Sequence, residues 1–133
     1  GWHGDAARTF MVGKVSEEKE KLVRVTEECF FKAVECLRDG TPLGTLGNAV
    51  QSHAEANGFS VVRALVGHGI GKEMHEDPSV PNYGRKGTGV RLKKGMTIAI
   101  EPMLNLGCDD VEVLEDIKKN IDLINLFINL NFF

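Results

Sequence analysis

The stretch GHGIGKEMHEDP at residues 67–78 brings two histidines and three acids together with three closely spaced glycines. The glycines on either side of His68 allow a sharp turn of the backbone or the close approach of a ligand. The stretch is not a phosphate-binding loop, because Glu73 stands where such a loop has Ser or Thr. It is not a zinc-protease helix either, because Ser79 stands where HExxH requires its second histidine. Taken alone, the stretch leaves His68 open between a structural histidine and a ligand.

Two acids on predicted strands lie on either side of this stretch in the sequence, one before it and one after it. Glu101 follows the apolar run of a strand predicted over residues 95–103, and Asp5 begins a strand predicted over residues 5–12. A carboxylate in such a position needs a partner or a metal ion, because burying it bare is costly. Together with His68 they would form an oxygen-rich site with one imidazole. That ligand set suits Mn, Fe, Co or Zn better than a structural thiolate site does.

Hydrophobic spacing predicts two helices between the first strand and the glycine-rich stretch. The first has Ser16 as its N-cap and runs to about Arg38. The second starts at Thr41–Pro42 and ends at Gly58. The buried stripe of the first helix is predicted to comprise Leu22, Val25, Cys29, Ala33, Val34, Cys36 and Leu37. Along one side of the second helix lie Leu43, Leu46, Val50, Ala54 and Asn57.

The rest of the chain has weaker signals for secondary structure. The β-branched run at 59–66 predicts a strand, and VEVLED at 111–116 predicts another. Residues 67–95 are rich in glycine and proline, so we expect an ordered loop system there with at most a short strand.

Length, charge and cysteine content limit the class of protein. A chain of 133 residues is long enough for one modest domain. Its formal net charge of −3 gives no electrostatic case for binding nucleic acid or an anionic membrane. Cys29, Cys36 and Cys108 form no C-x-x-C pair, and the first two are predicted to pack as small hydrophobic residues. An odd number of cysteines without framework spacing favours a reducing, cytoplasmic location.

Three motifs together resemble the type I, bacterial-type methionine aminopeptidases. They are GWHGDAARTFMVG at 1–13, GHGIGKEMHEDPSVPNYG at 67–84 and LKKGMTIAIEPMLNLG at 92–107. The resemblance implies an α+β fold of the pita-bread (creatinase/aminopeptidase-like) type, a curved antiparallel sheet flanked by helices, of which this chain holds a part. It also implies a metalloaminopeptidase that removes the N-terminal methionine from nascent proteins by hydrolysis.

The same resemblance implies two divalent metal ions, Co, Mn, Fe or Zn, held by five protein ligands. Asp5 corresponds to the Asp of HGD and would bridge both ions. His68 and Glu101 correspond to ligands of one of these ions. The remaining two ligands have no counterpart, because one would precede Gly1 and the other would follow Gly107 by a few tens of residues. We therefore expect the full site to be absent from this chain, with weak metal binding and little or no activity.

Two residues of the central motif carry over to substrate contacts. His75 resembles the family's substrate-facing histidine, which makes it the candidate catalytic and substrate-binding residue. Met74 matches a position near the methionine pocket. The implied partners are the N-termini of nascent polypeptides, with an encounter at the ribosome. Neither nucleic acid nor a membrane is expected as a partner, and the full-length protein is expected to be a monomer in the cytoplasm.

The composition changes from Ile117 onward, where almost only Ile, Asn, Leu, Phe, Lys and Asp occur. We therefore expect residues 1–116 to form a partial methionine aminopeptidase catalytic domain and residues 117–133 to be an atypical tail of uncertain origin. The alternative is an amphipathic helix, since four isoleucines keep helical spacing. These are Ile117, Ile121, Ile124 and Ile128.

Two other functions stay open beside the peptidase. Some pita-bread proteins bind RNA or other proteins without peptidase activity, but the presence of Asp5, His68 and Glu101 and the lack of a basic patch argue against this. A proline-directed relative would share the fold and the metal ligands. Such relatives usually lack the combination of GHGIG with IEPM.

Overall fold

In the computed structural model, residues 1–111, 124–125 and 127–131 are described, the last two segments by their backbone alone. This part of the chain contains two helices and eight short strands, which confirms the predicted α+β class. The helices are α1 (Glu17–Glu35) and α2 (Leu43–Ala56). The strands are β1 (Ala6–Ala7), β2 (Ser60–Val61), β3 (Gly67–Gly69), β4 (Glu76–Val80), β5 (Thr97–Ile100), β6 (Met103–Asn105), β7 (Ile124–Asn125) and β8 (Phe127–Asn131).

Both predicted helices are confirmed, and their ends follow local chemistry. Ser16 has an extended backbone and accepts a hydrogen bond from the Lys19 amide at α1, whose first turn also carries three acids suited to its positive end. Helix α1 ends at Glu35, three residues before the predicted end. Helix α2 follows Pro42, and the chain leaves it through Gly58 at φ +84°, a left-handed conformation that favours glycine.

The two helices pack on each other through the predicted stripes. Leu22, Val25, Cys29 and Ala33 are buried on α1, and Leu43, Leu46, Val50 and Ala54 are buried on α2. Burial raises the pKa of the Cys29 thiol to about 12, with the charge of Glu28 adding to the effect. Cys36 is only half-buried. The prediction that these two cysteines behave as small hydrophobic residues therefore holds fully for Cys29 alone.

Antiparallel pairing joins the strands into two sheets. The five-stranded sheet has the order β1-β8-β5-β3-β4, and the three-stranded sheet has the order β2-β6-β7. Ile98 and Ile100 of β5 and Leu104 of β6 join the helices in one hydrophobic core. The sheets are therefore held against α1 and α2 by apolar burial, while β3 and the end of β5 position polar side chains.

The predicted strands differ from the observed ones in three places. The strands predicted at 5–12 and 59–66 shrink to two residues each, β1 and β2. The segment predicted as a loop system contains β3 and β4. The strand predicted over 95–103 divides into β5 and β6, which belong to different sheets. Pro102 explains the division, because proline has no N–H to continue the ladder.

The end of the chain is described only in part. From residue 112 onward, the strand predicted at 111–116 lies outside the described residues. A helix over 117–133 is wrong for the segments that are described, since β7 and β8 are strands and β8 pairs with both β1 and β5. No helix within the described ranges is long and apolar enough to cross a membrane.

Candidate metal centre

Glu101 lies where the chain passes from one sheet to the other. It follows Ile100, the last residue of β5, and precedes Pro102. The side chain is 9% exposed. The division of β5 from β6 thus places a carboxylate in the interior at the end of a strand, which is the costly position that the sequence indicated.

His68 is the middle residue of β3 and lies beside β5. It pairs with Ala99 on one side and with Ser79 of β4 on the other. Its Nδ1 atom is 2.8 Å from the carbonyl oxygen of Gly69. A carbonyl oxygen only accepts, so Nδ1 donates its proton there. When the ring is neutral, the other ring nitrogen, Nε2, can then present its lone pair to a metal ion or to a hydrogen-bond donor.

Asp5 reaches the same place from the N-terminal segment. The His3 amide donates a hydrogen bond to the Gly71 carbonyl over 2.8 Å, which holds the segment beside the glycine-rich stretch. On the other side of Asp5, the Arg8 guanidinium forms an ion pair with Glu27 of α1 at 2.8 Å. Asp5 is half-buried between these two contacts, immediately before β1.

The three side chains that the sequence singled out converge. Nε2 of His68 lies 2.9 Å from Oε1 of Glu101 and 3.6 Å from Oδ2 of Asp5. One ligand atom from each of the three lies within 4.8 Å of the others. Two carboxylates and one imidazole from three separate elements therefore face a single point.

The electrostatics of this cluster suit a cation. Burial raises the pKa of Glu101 to about 7; the charge of His68 opposes this rise, and the charge of Asp5 adds to it. Oε1 of Glu101 is buried without a hydrogen-bond partner among the described residues, although Nε2 of His68 lies 2.9 Å away. A buried oxygen without a donor is costly. The orphaned oxygen and the oxygen- and nitrogen-rich donor set fit a divalent metal ion.

His75 stands next to the cluster, and Met74 lies beside it in the chain. The rings of His68 and His75 are tilted by 59° with their centroids 4.3 Å apart. Both histidines line an open cleft of about 460 Å³, with Glu76, Asp77 and Ser79 along it. Met74 is 40% exposed and is not part of the cleft lining. The cleft thus gives access from solvent to His75 and to the His68 side of the three-residue cluster.

Sequence reasoning missed two residues that shape the site. Glu76 Oε1 accepts a hydrogen bond from the Glu73 amide at 2.9 Å and closes the turn between β3 and β4. Asn82 is buried, and its side-chain amide donates to the carbonyl oxygen of Glu101 at 2.6 Å. The position of an asparagine in a proline- and glycine-rich loop gave no signal of a contact across 19 residues.

Comparisons with known proteins agree with the three motifs. A sequence profile of metallopeptidase family M24 matches residues 1–119. A protein of Clostridium perfringens named methionine aminopeptidase is 57% identical over 116 residues, which are 87% of this chain and 47% of that protein. The chain therefore spans about half the length of this curated relative.

Solved structures share the fold. The crystal structure of a methionine aminopeptidase from Thermotoga maritima superposes with a TM-score of 0.85 at 43% identity, over 96% of this chain and 53% of that one. A prolidase from Thermococcus sibiricus superposes with a TM-score of 0.75 at 22% identity, over 99% of this chain and 32% of that one, which bears on the fold alone. The pita-bread fold expected from the motifs is confirmed.

Proposed function

Because this chain belongs to metallopeptidase family M24, we propose that it supplies part of the active site of a methionine aminopeptidase. The reaction is the metal-dependent hydrolysis of the peptide bond that follows an N-terminal methionine. One observation carries the proposal: Asp5, His68 and Glu101 converge around a buried oxygen that receives no hydrogen bond from the part of the chain that the structure describes.

These three residues would hold a divalent ion, with Co, Mn, Fe and Zn as the candidates. Such an ion supplies positive charge that polarises a carbonyl group and lowers the pKa of water. The chain's own contribution is a prepared ligand set. The hydrogen bond from Nδ1 to the Gly69 carbonyl keeps Nε2 of His68 turned toward both carboxylates. A second ion, which Asp5 would share, requires ligands beyond these three.

His75 is proposed as the residue that contacts the substrate. Its ring lies against His68 on the wall of the cleft, so a peptide entering there meets His75 and the ligand cluster together. An imidazole N–H at this position donates a hydrogen bond to the scissile amide or to the charge that develops on it. We assign Met74 a weaker role, near the side chain of the substrate's N-terminal methionine, because Met74 adjoins His75 and is partly exposed.

The substrates follow from this assignment. We propose the N-termini of nascent polypeptides, met at the ribosome in the cytoplasm by a monomeric enzyme, with small residues preferred after the methionine. A proline-directed activity is less consistent with the motifs, because GHGIG and IEPM occur together here. A comparison of activity on Met-Ala-Ser with activity on Xaa-Pro peptides separates a methionine-directed from a proline-directed enzyme.

A chimera tests the proposal directly. The 116 aligned residues of this chain replace their counterparts in the Clostridium perfringens relative, and hydrolysis of Met-Ala-Ser is measured with added Co²⁺ or Mn²⁺. We expect turnover close to that of the parent protein, and its loss on Glu101→Gln in the chimera. A folded, metal-loaded chimera without turnover would refute the proposal. The isolated 133-residue chain is expected to be far slower, since only three of the five implied ligands converge in its described part.

A further inference from the structure

Asn82 makes a short buried hydrogen bond to the main chain of a proposed metal ligand. Its side chain is 2% exposed, and its Nδ2 atom lies 2.6 Å from the carbonyl oxygen of Glu101. The carbonyl only accepts, so the nitrogen of the amide must face it. The bond therefore joins the loop after β4 to the residue that ends β5.

The carbonyl of Glu101 lies at a point where the sheet ladder stops. The pairing of β5 with β8 ends at Ile100, and Pro102 follows Glu101 without an N–H to continue a ladder. The carbonyl of Met103 already receives the Val62 amide in the other sheet. The Asn82 amide therefore supplies the hydrogen bond that a neighbouring strand would give in an unbroken ladder.

The loop that carries Asn82 is itself held against α2. A side chain at Gly47 would collide with the carbonyl oxygens of the residues on both sides of Asn82, so helix and loop approach closely. The Gly84 amide donates to Gln51 Oε1 at 3.2 Å, and Asn48 Nδ2 donates to the Gly84 carbonyl at 3.3 Å. The position of Asn82 is thereby fixed by the helical layer.

We propose that Asn82 is a positioning residue for Glu101, holding the peptide group of that ligand so that its carboxylate stays directed at His68 and Asp5. The inference rests on the proposed metal centre. Rotation about the backbone bonds at the junction of the two sheets would otherwise move Oε1 away from the 2.9 Å approach to His68. Groups that orient metal ligands typically change metal affinity by about 10- to 100-fold when removed.

The test is a titration of the 133-residue chain with Co²⁺, in which calorimetry and the visible absorption of the bound ion measure binding. Asn82→Asp keeps the shape of the side chain but removes the donor, and we expect binding to weaken about tenfold with an altered absorption spectrum. The added negative charge would by itself favour a cation, so weaker binding reports lost positioning. Because a buried unpaired carboxylate threatens folding, Asn82→Ser is titrated as a neutral second variant.

Asn57→Asp is the matched control, since it makes the same chemical change at a part-buried hydrogen bond, from Nδ2 to the His53 carbonyl at the end of α2, away from Glu101 and from the loop that carries Asn82. We expect it to lower the unfolding temperature without changing Co²⁺ affinity. If both Asn82 variants are folded and bind Co²⁺ within twofold of the unmodified chain, Asn82 is only structural and the inference is overturned. If the unmodified chain binds no Co²⁺, the proposed metal centre fails and this inference fails with it.

Discussion

Nε2 of His68 lies 2.9 Å from Oε1 of Glu101, and that oxygen is buried without a hydrogen bond from any described residue. When the ring of His68 is neutral, its proton lies on Nδ1 toward the Gly69 carbonyl, and the lone pair of Nε2 faces the oxygen of Glu101. A cation between these groups, or a proton carried by either of them, makes the contact favourable. The proposed metal ion would be such a cation, and Asp5, at 3.6 Å from the same nitrogen, would complete its surroundings.

The first prediction is that divalent metal stabilises the 133-residue chain and that Glu101→Gln removes the effect. A ligand that binds only the folded state, at a concentration 100 times its dissociation constant, adds about 2.7 kcal/mol to the free energy of unfolding. Thermal unfolding with and without Co²⁺ measures this stabilisation. Glu101→Gln should remove it, because the amide of Gln is a poor substitute for the carboxylate as a metal ligand. Glu35→Gln, an exposed change on α1, should retain the full shift. An equal shift in both variants would assign the bound metal to another place.

The second prediction separates substrate contact from metal binding. In the chimera with the Clostridium perfringens relative, His75→Ala should lower kcat for Met-Ala-Ser by about 100-fold or more, because a positioned acid or hydrogen-bond donor typically contributes that much. Co²⁺ affinity should stay within about twofold, since His75 is not one of the three converging ligands. A parallel loss of metal affinity would mean that His75 acts through its ring contact with His68 rather than on the substrate.

The helices and the ligand cluster were predictable from the sequence, for different physical reasons. The stripe that includes Leu22 and Val25 is an amphipathic pattern, and such patterns depend on local spacing alone. Asp5, His68 and Glu101 were identified because charged groups beside apolar runs need compensation, and because their motifs resemble a known family. The convergence itself, through pairing of β3 with β5, was visible only in the structure.

The strands around the site were harder to predict, because tertiary packing decides them. Glycine has no β-propensity, so Gly67 and Gly69 indicated a loop although they form β3. Pairing explains the strand: β3 lies between β4 and β5, and the absence of side chains lets these backbones approach. The contact of Asn82 with Glu101 had no sequence signal for the same reason, since it joins residues from two packed elements.

The third prediction tests this account of β3. Gly67→Ala should destabilise the chain by about 1–3 kcal/mol, because the added Cβ collides with the carbonyl oxygen of Ala99 on β5. The backbone at Gly67 is not left-handed, so the cost is steric. Gly71→Ala is the control: the three atoms nearest to its Cβ belong to the carboxylate of Glu76, at 2.8 Å and beyond, which is the movable end of a side chain. Denaturant unfolding compares the two, and equal losses would contradict the packing argument.

The fourth prediction concerns the contact between the two helices and its dependence on pH. Glu28 of α1 accepts a hydrogen bond from Nε2 of His53 on α2 at 2.7 Å and another from Arg24 at 2.7 Å. The hydrogen bond from His53, followed by that from Arg24, lowers the pKa of Glu28 below its ordinary value of 4.5. A lowered pKa in the folded state means that the pair stabilises the chain above pH 4.5. That stability is lost as the pH falls through the lowered value.

Glu28→Gln should therefore reduce the free energy of unfolding at pH 6, and this reduction should shrink as the pH falls below 4.5 toward the lowered pKa of Glu28. The difference is expected to be a few tenths of a kcal/mol, because the Glu28 side chain is 37% exposed and solvent screens the pair. Denaturant unfolding of both proteins across this range measures it, with Glu35→Gln as a control whose ion pair, to Lys32, lies within α1. A difference that persists undiminished at pH 3 would show that the hydrogen bonds of Glu28 act without its charge. In that case the pair joins the two helices by shape and hydrogen bonding rather than by ionisation.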